Sequence, residues 1–81
     1  MEYKIISVEK SNESLITTVL MTLSNGTNIT VDIAHFRPKD ISEINQNIVD
    51  RLLTEQSKLD VVQTLESLSS EIVLGEVVVI N

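Results

Sequence analysis

The dipeptide Asn25-Gly26 constrains the fold of this 81-residue chain more than any other feature. It separates two runs rich in β-branched and apolar residues, 15–23 and 27–34. Asn-Gly between such runs is typical of a two-residue type I′ turn, because that turn needs a positive φ at both central positions. The stretch Leu15–Ala34 is therefore predicted to be a β-hairpin on which the other elements pair or pack.

A two-residue loop also fixes which residues of the two strands lie opposite each other. The resulting pairs are Ser24–Thr27, Thr22–Ile29, Leu20–Val31 and Thr18–Ile33. One face of the hairpin is then strongly apolar and is predicted to be core. Its members are Ile16, Leu20, Ile29, Val31 and Ile33.

The opposite face is predicted to be half apolar and half polar. Its apolar residues come from the first strand: Leu15, Val19, Met21 and Leu23. Opposite them the second strand supplies Ala34, Asp32, Thr30 and Asn28. An antiparallel sheet covered on one side only alternates more cleanly than this. This second face is therefore expected either to be an exposed apolar surface that binds a partner or to be covered by the C-terminal tail of the same chain.

A third strand precedes the hairpin. Residues 2–10 (EYKIISVEK) form a β-type run, and the polar cluster 11–14 is typical of a turn. Together these segments predict a three-stranded antiparallel β-meander over residues 1–34.

Residues 40–70 carry a helical pattern. Pro38 disfavours helix at the residue before it, and Asp40 followed by Glu43 is an Asp variant of the capping box. A first helix is predicted to run to about Glu55 and a second, restarting at Ser57, to about Ser70. Because neither Gly nor Pro separates them, a single kinked helix is the main alternative. The predicted apolar stripes are Ile41, Ile44, Ile48, Val49, Leu52 and Leu53 in the first helix, and Leu59, Val61, Val62, Leu65 and Leu68 in the second.

Residues 72–80 are almost continuously apolar and are interrupted by Gly75. A β-branched run without alternation, such as Val77–Ile80, is typical of a strand covered on both faces. This predicted C-terminal strand either returns to the sheet or pairs with another chain. The predicted fold is thus a single α+β domain over residues 1–81: a β-meander with two short helices on one face and a C-terminal β-strand.

Composition narrows the possible partners. Hydrophobic residues make up 42% of the chain, which excludes general disorder, and the formal net charge is −6. This acidic balance argues against binding of nucleic acid, and the few aromatic residues, Tyr3 and Phe36, argue against base stacking. No apolar run is long enough to span a membrane, and no signal-peptide pattern opens the chain. Secretion by a signal peptide is therefore not expected.

The sequence predicts no catalytic, cofactor-binding or metal-binding residue. Cysteine is absent, and the lone histidine, His35, has only Asp32 as a nearby acidic residue. Such a histidine is most often an exposed or structural residue of the connector. With Arg37 and Lys39 it forms the only local basic cluster, which is either solvent-facing or a contact for an acidic group of a partner.

The remaining signal is excess apolar surface, which usually marks an interface. The hypothesised partner interface consists of Leu15, Val19, Met21, Leu23, His35, Arg37, Lys39, Val77, Val78, Val79 and Ile80.

The order of elements resembles a group of small tailed-bacteriophage proteins of poorly defined function. The resemblance rests on the opening Tyr3–Lys10 (YKIISVEK), the hairpin, and Phe36–Asp40 (FRPKD) leading into a helical segment. The apolar tail departs from the more polar ends of that group. The resemblance implies a small virion structural or accessory protein, and with it residence in a virion or a host cytoplasm.

The expected function is therefore that of a non-enzymatic structural or interaction protein, a small phage virion component. Its expected partners are copies of itself or larger virion proteins, bound through the sheet face and the C-terminal strand. The alternative is an acidic phage-encoded inhibitor that binds a basic surface of a host enzyme or defence protein. A third reading is a small enzyme subunit or regulator.

Overall fold

The computed structural model describes residues 1–80 and shows an α+β fold. Strands β1 (Glu2–Ser11), β2 (Ser14–Thr22) and β3 (Asn28–Phe36) are followed by one helix, α1 (Ile41–Glu71). The strands form one antiparallel sheet in the order β1-β2-β3. The predicted α+β class and the three-stranded meander are therefore confirmed.

The β2–β3 hairpin closes with a three-residue loop. The Leu23 N–H donates to the Thr27 carbonyl at 2.8 Å, and the Gly26 N–H donates to the Leu23 carbonyl at 2.9 Å. Gly26 has a φ of 85°, whereas Asn25 does not have a positive φ. This is a type I turn followed by a left-handed glycine in a G1 bulge. The predicted two-residue type I′ turn is wrong.

The additional loop residue shifts the register by one. Val19 lies opposite Val31, and Met21 lies opposite Ile29. Since side chains alternate along a strand, a shift of one residue moves the partner side chains to the other face. Val31 and Ile29 therefore share a face with the odd-numbered residues of β2. The predicted pairs Ser24–Thr27, Thr22–Ile29, Leu20–Val31 and Thr18–Ile33 are wrong for this reason.

The core lies on the sheet face that the sequence analysis expected to be exposed or covered by the C-terminal tail. Val19 and Met21 are completely buried and Leu23 is 6% exposed. They pack against one side of α1, with Ile29, Val31, Ile33, Tyr3, Leu15 and Leu59 partly buried around them. The buried helix residues of this core are Ile44, Ile48 and Leu52.

Strand β1 keeps its apolar residues on the core side by means of a bulge. Tyr3 lies opposite Met21 and Ile5 opposite Val19, but the register then shifts between Ile5 and Ser7. The shift places Val8 opposite Thr17, on the same face as Tyr3 and Ile5.

Helix α1 begins where the sequence predicted. The Asp40 side chain accepts a hydrogen bond from the Glu43 N–H at 2.9 Å, and Glu43 Oε2 accepts one from the Lys39 N–H at 2.7 Å. Two backbone donors at the start of the helix are thereby satisfied by side chains. This is the expected Asp cap, with the glutamate reaching Lys39 instead of Asp40.

The helix then continues for 31 residues without a break, so the prediction of two short helices is wrong. Side-chain pairs cross the expected boundary: Lys58 with Glu55 at 3.4 Å, and Gln56 with Asp60 at 2.9 Å. Ser57, taken as a restart signal, lies inside the helix. Without Gly or Pro to interrupt the backbone, such pairs keep it helical.

The predicted C-terminal strand is also wrong for the residues that the structure describes. Ile72 has extended backbone angles (φ −77°, ψ 122°) and ends the helix. A turn follows at residues 74–75, where Gly75 has a φ of 79°, and residues 76–80 have no strand partner.

Candidate interaction surface

The second half of α1 projects beyond the sheet. Leu59 is the last helix residue that packs against the core, and the helix continues to Glu71. At 1.5 Å per residue this extension is about 18 Å long. It accounts for much of the elongated shape of the molecule, 63 × 26 × 19 Å. We call residues 60–71 the arm.

The arm carries an apolar stripe that contacts no other element. Four side chains at helical spacing are each 49–60% exposed: Val61, Val62, Leu65 and Leu68. We call these four residues the arm stripe.

Three of the four residues of the arm stripe do not continue the core side of the helix. At about 100° per residue, the line of Val61, Leu65 and Leu68 is rotated by roughly 130° from the line of Ile44, Ile48 and Leu52, whereas Val62 falls at the same angle as Ile44. A straight helix therefore cannot place both surfaces on the same sheet. The sequence analysis treated the arm stripe as the core face of a second helix, which is wrong. For a continuous helix, this rotation follows directly from the residue numbers.

Residues 72–80, which we call the tail, add further exposed apolar surface. Their seven large apolar side chains are 66–92% exposed: Ile72, Val73, Leu74, Val77, Val78, Val79 and Ile80. Of the hypothesised interface, the part formed by Val77–Ile80 is thus accessible. Its role in binding stays a prediction.

The hypothesised sheet part of the interface is not accessible. Val19, Met21 and Leu23 are covered by α1, and Leu15 is half-buried beside them. Their apolar character, which suggested an external partner, is explained by the chain's own helix. The prediction that this face is exposed is wrong because it rested on the wrong register.

The predicted basic cluster is not assembled on one surface. His35 is 1% exposed and faces the core, opposite Leu15. The Arg37 guanidinium makes a bidentate pair with Glu13, at 2.7 Å and 3.1 Å. Lys39 is exposed at the start of the helix. The Asp32–His35 pair is absent as well, since Asp32 lies on the opposite sheet face and accepts from the Thr18 hydroxyl at 2.7 Å.

Arg37, which follows the end of β3, is joined to the turn between β1 and β2. Its backbone is left-handed (φ 45°), and its N–H donates to the Glu13 carbonyl at 2.9 Å. The guanidinium also lies 5.1 Å from the centre of the Phe36 ring, within cation–π distance. These contacts hold the connector before Pro38 in place. Arg37 therefore has a structural role, whereas the sequence suggested it as a contact for a partner.

His35 belongs to a buried polar network that links the sheet to the helix. Its Nε2 lies 2.9 Å from the Thr17 hydroxyl, and its Nδ1 lies 3.0 Å from Asn47 Nδ2. Burial lowers the pKa of His35 because desolvation disfavours the charged ring, and the negative charge of Glu43 opposes this effect. The network is satisfied and enclosed, so it is suited to stabilising the helix against the sheet. Sequence reasoning missed Thr17 and Asn47, whose spacing carries no recognisable signal.

A second polar link lies where the helix leaves the sheet. Gln56 is 8% exposed and accepts from the Ser24 N–H at 2.9 Å. Its Nε2 donates to the Ser24 hydroxyl at 2.7 Å and to Asp60 at 2.9 Å. Close by, the hydrogen bond from Arg51 lowers the pKa of Glu55. Partial desolvation raises this pKa, and the nearby charge and hydrogen bond of Lys58 lower it further. The hydrogen bonds between Gln56 and Ser24 fix the base of the arm to the hairpin loop.

Within residues 1–80, no group of three or more His, Cys, Asp or Glu side chains is placed to hold a metal ion. No helix in this part of the chain has the length and apolar character needed to cross a membrane. Comparison with known proteins found no matching family model, no similar curated protein and no similar solved structure.

Proposed function

We propose that this chain is a non-enzymatic assembly protein that binds other protein chains through its arm and tail. The observation that carries the proposal is the arm stripe, four large apolar side chains 49–60% exposed on a helix that projects from the body. Together with the tail it forms an apolar surface of the kind that usually marks an interface. The meander and the first half of α1 serve as the body that holds this surface in place.

A small virion component is the kind of assembly protein that we favour. The support is the sequence resemblance to small tailed-bacteriophage proteins, carried by Tyr3–Lys10 and by Phe36–Asp40. Mass spectrometry of purified particles tests this directly. A stoichiometric amount of the chain in particles is expected, and its absence from them would contradict a virion role.

The assembly function is tested by site-specific photocrosslinking with the full chain. A photoreactive side chain at Leu68, on the arm stripe, is expected to crosslink to another protein chain in the assembled particle. The matched control is Leu53, which is also 51% exposed but lies off the stripe and on the body. Equal or absent crosslinking at the two positions would contradict the proposal.

A second candidate is an inhibitor that binds a basic surface of a host protein. The formal net charge of −6 favours it. Binding of this type weakens steeply with salt, whereas binding through the arm stripe does not. A measured affinity that is unchanged between low and high ionic strength would exclude the inhibitor.

A further inference from the structure

We propose that the arm binds a second copy of this chain, with the two arms packed antiparallel, an inference that rests on the proposed assembly function. The first argument is the spacing of the apolar residues. Val61, Leu65 and Leu68 are separated by four and three residues, and Ile72 follows four further on. Alternating steps of three and four are the pattern by which two helices pack along a shared seam.

The second argument is area. A large aliphatic side chain contributes about 60–120 Å² of apolar surface, so the half-exposed arm stripe offers only about 200 Å² per chain. Two stripes alone fall well below the roughly 1,000 Å² that a specific interface needs. Adding the seven exposed side chains of the tail brings two copies to about 1,200–1,600 Å², the standard size for a stable complex. The tail must therefore take part.

The third argument is the distribution of charge. The carboxylates of the arm, Asp60, Glu66 and Glu71, all lie about 90° or more from the centre of the stripe. Within the arm, the nearest flanking residues are uncharged, among them Thr64 and Ser69. A basic partner would be matched by carboxylates along the edges of the stripe. Uncharged edges instead permit two acidic copies of the same arm to approach.

The charges also select the orientation. Lys58 lies on the stripe side of the helix, about 50° from its centre. Parallel arms would place Lys58 beside Lys58 of the other copy. Antiparallel arms, with Leu65 opposite Leu68 of the other copy, place Lys58 near the end of the other helix. The last turn of α1 has no basic residue, and a helix C-terminus favours a cation.

This arrangement also provides a place for the tail. Residues 72–76 span about 17 Å when fully extended, so they barely bring Val77 back to the level of Leu59 in the same chain. The turn at 74–75 makes that path shorter still. In an antiparallel pair, the tail instead continues in its own direction, past the base of the other arm toward the other copy's sheet.

Sedimentation equilibrium of the full chain over a wide concentration range tests the inference. The wild type is expected to show a reversible monomer–dimer equilibrium. Leu68→Asp is expected to raise the dimer Kd at least about tenfold, because a charge enters the seam. Leu53→Asp is the control, since both leucines are 51% exposed. A monomeric wild type at all concentrations, or equal effects of the two variants, would overturn the inference.

Orientation is tested by disulfide formation, which is simple because the chain has no cysteine. Chains with Leu65→Cys and chains with Leu68→Cys are mixed and oxidised. Antiparallel arms give mainly mixed disulfides, whereas self-disulfides of each variant would overturn the antiparallel arrangement. A monomeric wild type whose Leu68 position still crosslinks to another virion protein would refute self-pairing and leave the assembly function intact.

Discussion

Asn47 Nδ2 lies 3.0 Å from Nδ1 of His35, and this contact determines the protonation state of a buried histidine. An amide nitrogen only donates, so Nδ1 accepts and the ring proton lies on Nε2. Nε2–H then donates to the Thr17 hydroxyl at 2.9 Å. Both ring nitrogens are therefore satisfied in the neutral form, and a second proton at Nδ1 would meet another donor.

The stability of the fold is expected to fall as the pH drops through about 6.5, the pKa of an unfolded histidine. The pKa of His35 is lowered in the folded state, first by desolvation and against the opposing charge of Glu43. Below the unfolded pKa the unfolded chain therefore binds a proton that the folded chain does not, and the free energy of unfolding decreases. Above that pH the contribution is fully present. Urea unfolding between pH 5 and 8 measures this slope.

The control for this pH dependence is His35→Gln, which removes the titrating ring. The variant is expected to be less stable at pH 8 but to have a flatter pH profile between 5 and 7. The lowered pKa of Glu55 acts only at more acidic pH and does not interfere. An unchanged slope in the variant would show that His35 is not the responsible group.

Asn47→Ala is expected to lower the free energy of unfolding by about 1–3 kcal/mol, the cost of leaving a buried acceptor without a donor. It should also raise the pKa of His35, because the lost hydrogen bond favoured the neutral ring. NMR titration of the single histidine measures the pKa shift. Asn45→Ala is the control, since Asn45 accepts from the Tyr3 hydroxyl at 3.1 Å and does not touch the ring. An equal pKa change in both variants would contradict the assigned contact.

Met21→Ala is expected to destabilise the fold by about 2–5 kcal/mol, because Met21 is completely buried between sheet and helix. Leu20→Ala, on the other face of the same strand, should cost only about 1 kcal/mol, since that side chain is half-buried and has no helix over it. Thermal unfolding of the two variants compares the faces directly. With a two-residue hairpin loop, Leu20 would lie on the core face instead of Met21. A larger loss of stability in Leu20→Ala than in Met21→Ala would therefore contradict the observed register.

The same register separates what the sequence predicts from what it does not. Local signals predicted the hairpin, its strand lengths and the Asp40 cap, because each depends on neighbouring residues. The predicted loop contained Asn25 and Gly26, whereas the observed loop also contains Ser24. The sequence could not decide between them, because Asn-Gly fits both a two-residue type I′ turn and a three-residue loop with a glycine bulge. Because both β2 faces carry apolar residues, burial patterns could not correct the choice.

The candidate interface followed from that choice. With the wrong register, Val19 and Met21 had no partner in the chain and were interpreted as a docking surface. The arm was not foreseen because helix continuity across residues 55–59 depends on side-chain pairs such as Lys58–Glu55, each of which contributes only a few tenths of a kcal/mol. The apolar run Val77–Ile80 was identified from composition alone, which does not depend on register, but it was interpreted as a covered strand and not as an exposed tail.

Gln56→Leu is expected to destabilise the fold by about 1–3 kcal/mol, although leucine is similar in size and apolar. Gln56 is the only side chain that accepts from the Ser24 N–H among the described hydrogen bonds, and its Nε2 donates to both Ser24 and Asp60. The substitution leaves the Ser24 N–H at a partly buried site without an acceptor. Ser24→Ala, the control, removes only the hydroxyl contact and should cost about 0.5–1.5 kcal/mol. Amide hydrogen exchange at residue 24 gives an independent measurement. This N–H should exchange faster in Gln56→Leu than in the wild type, whereas its exchange in Ser24→Ala should be unchanged. Equal exchange rates in the wild type and in Gln56→Leu would mean that the base of the arm is not fixed to the hairpin loop in solution.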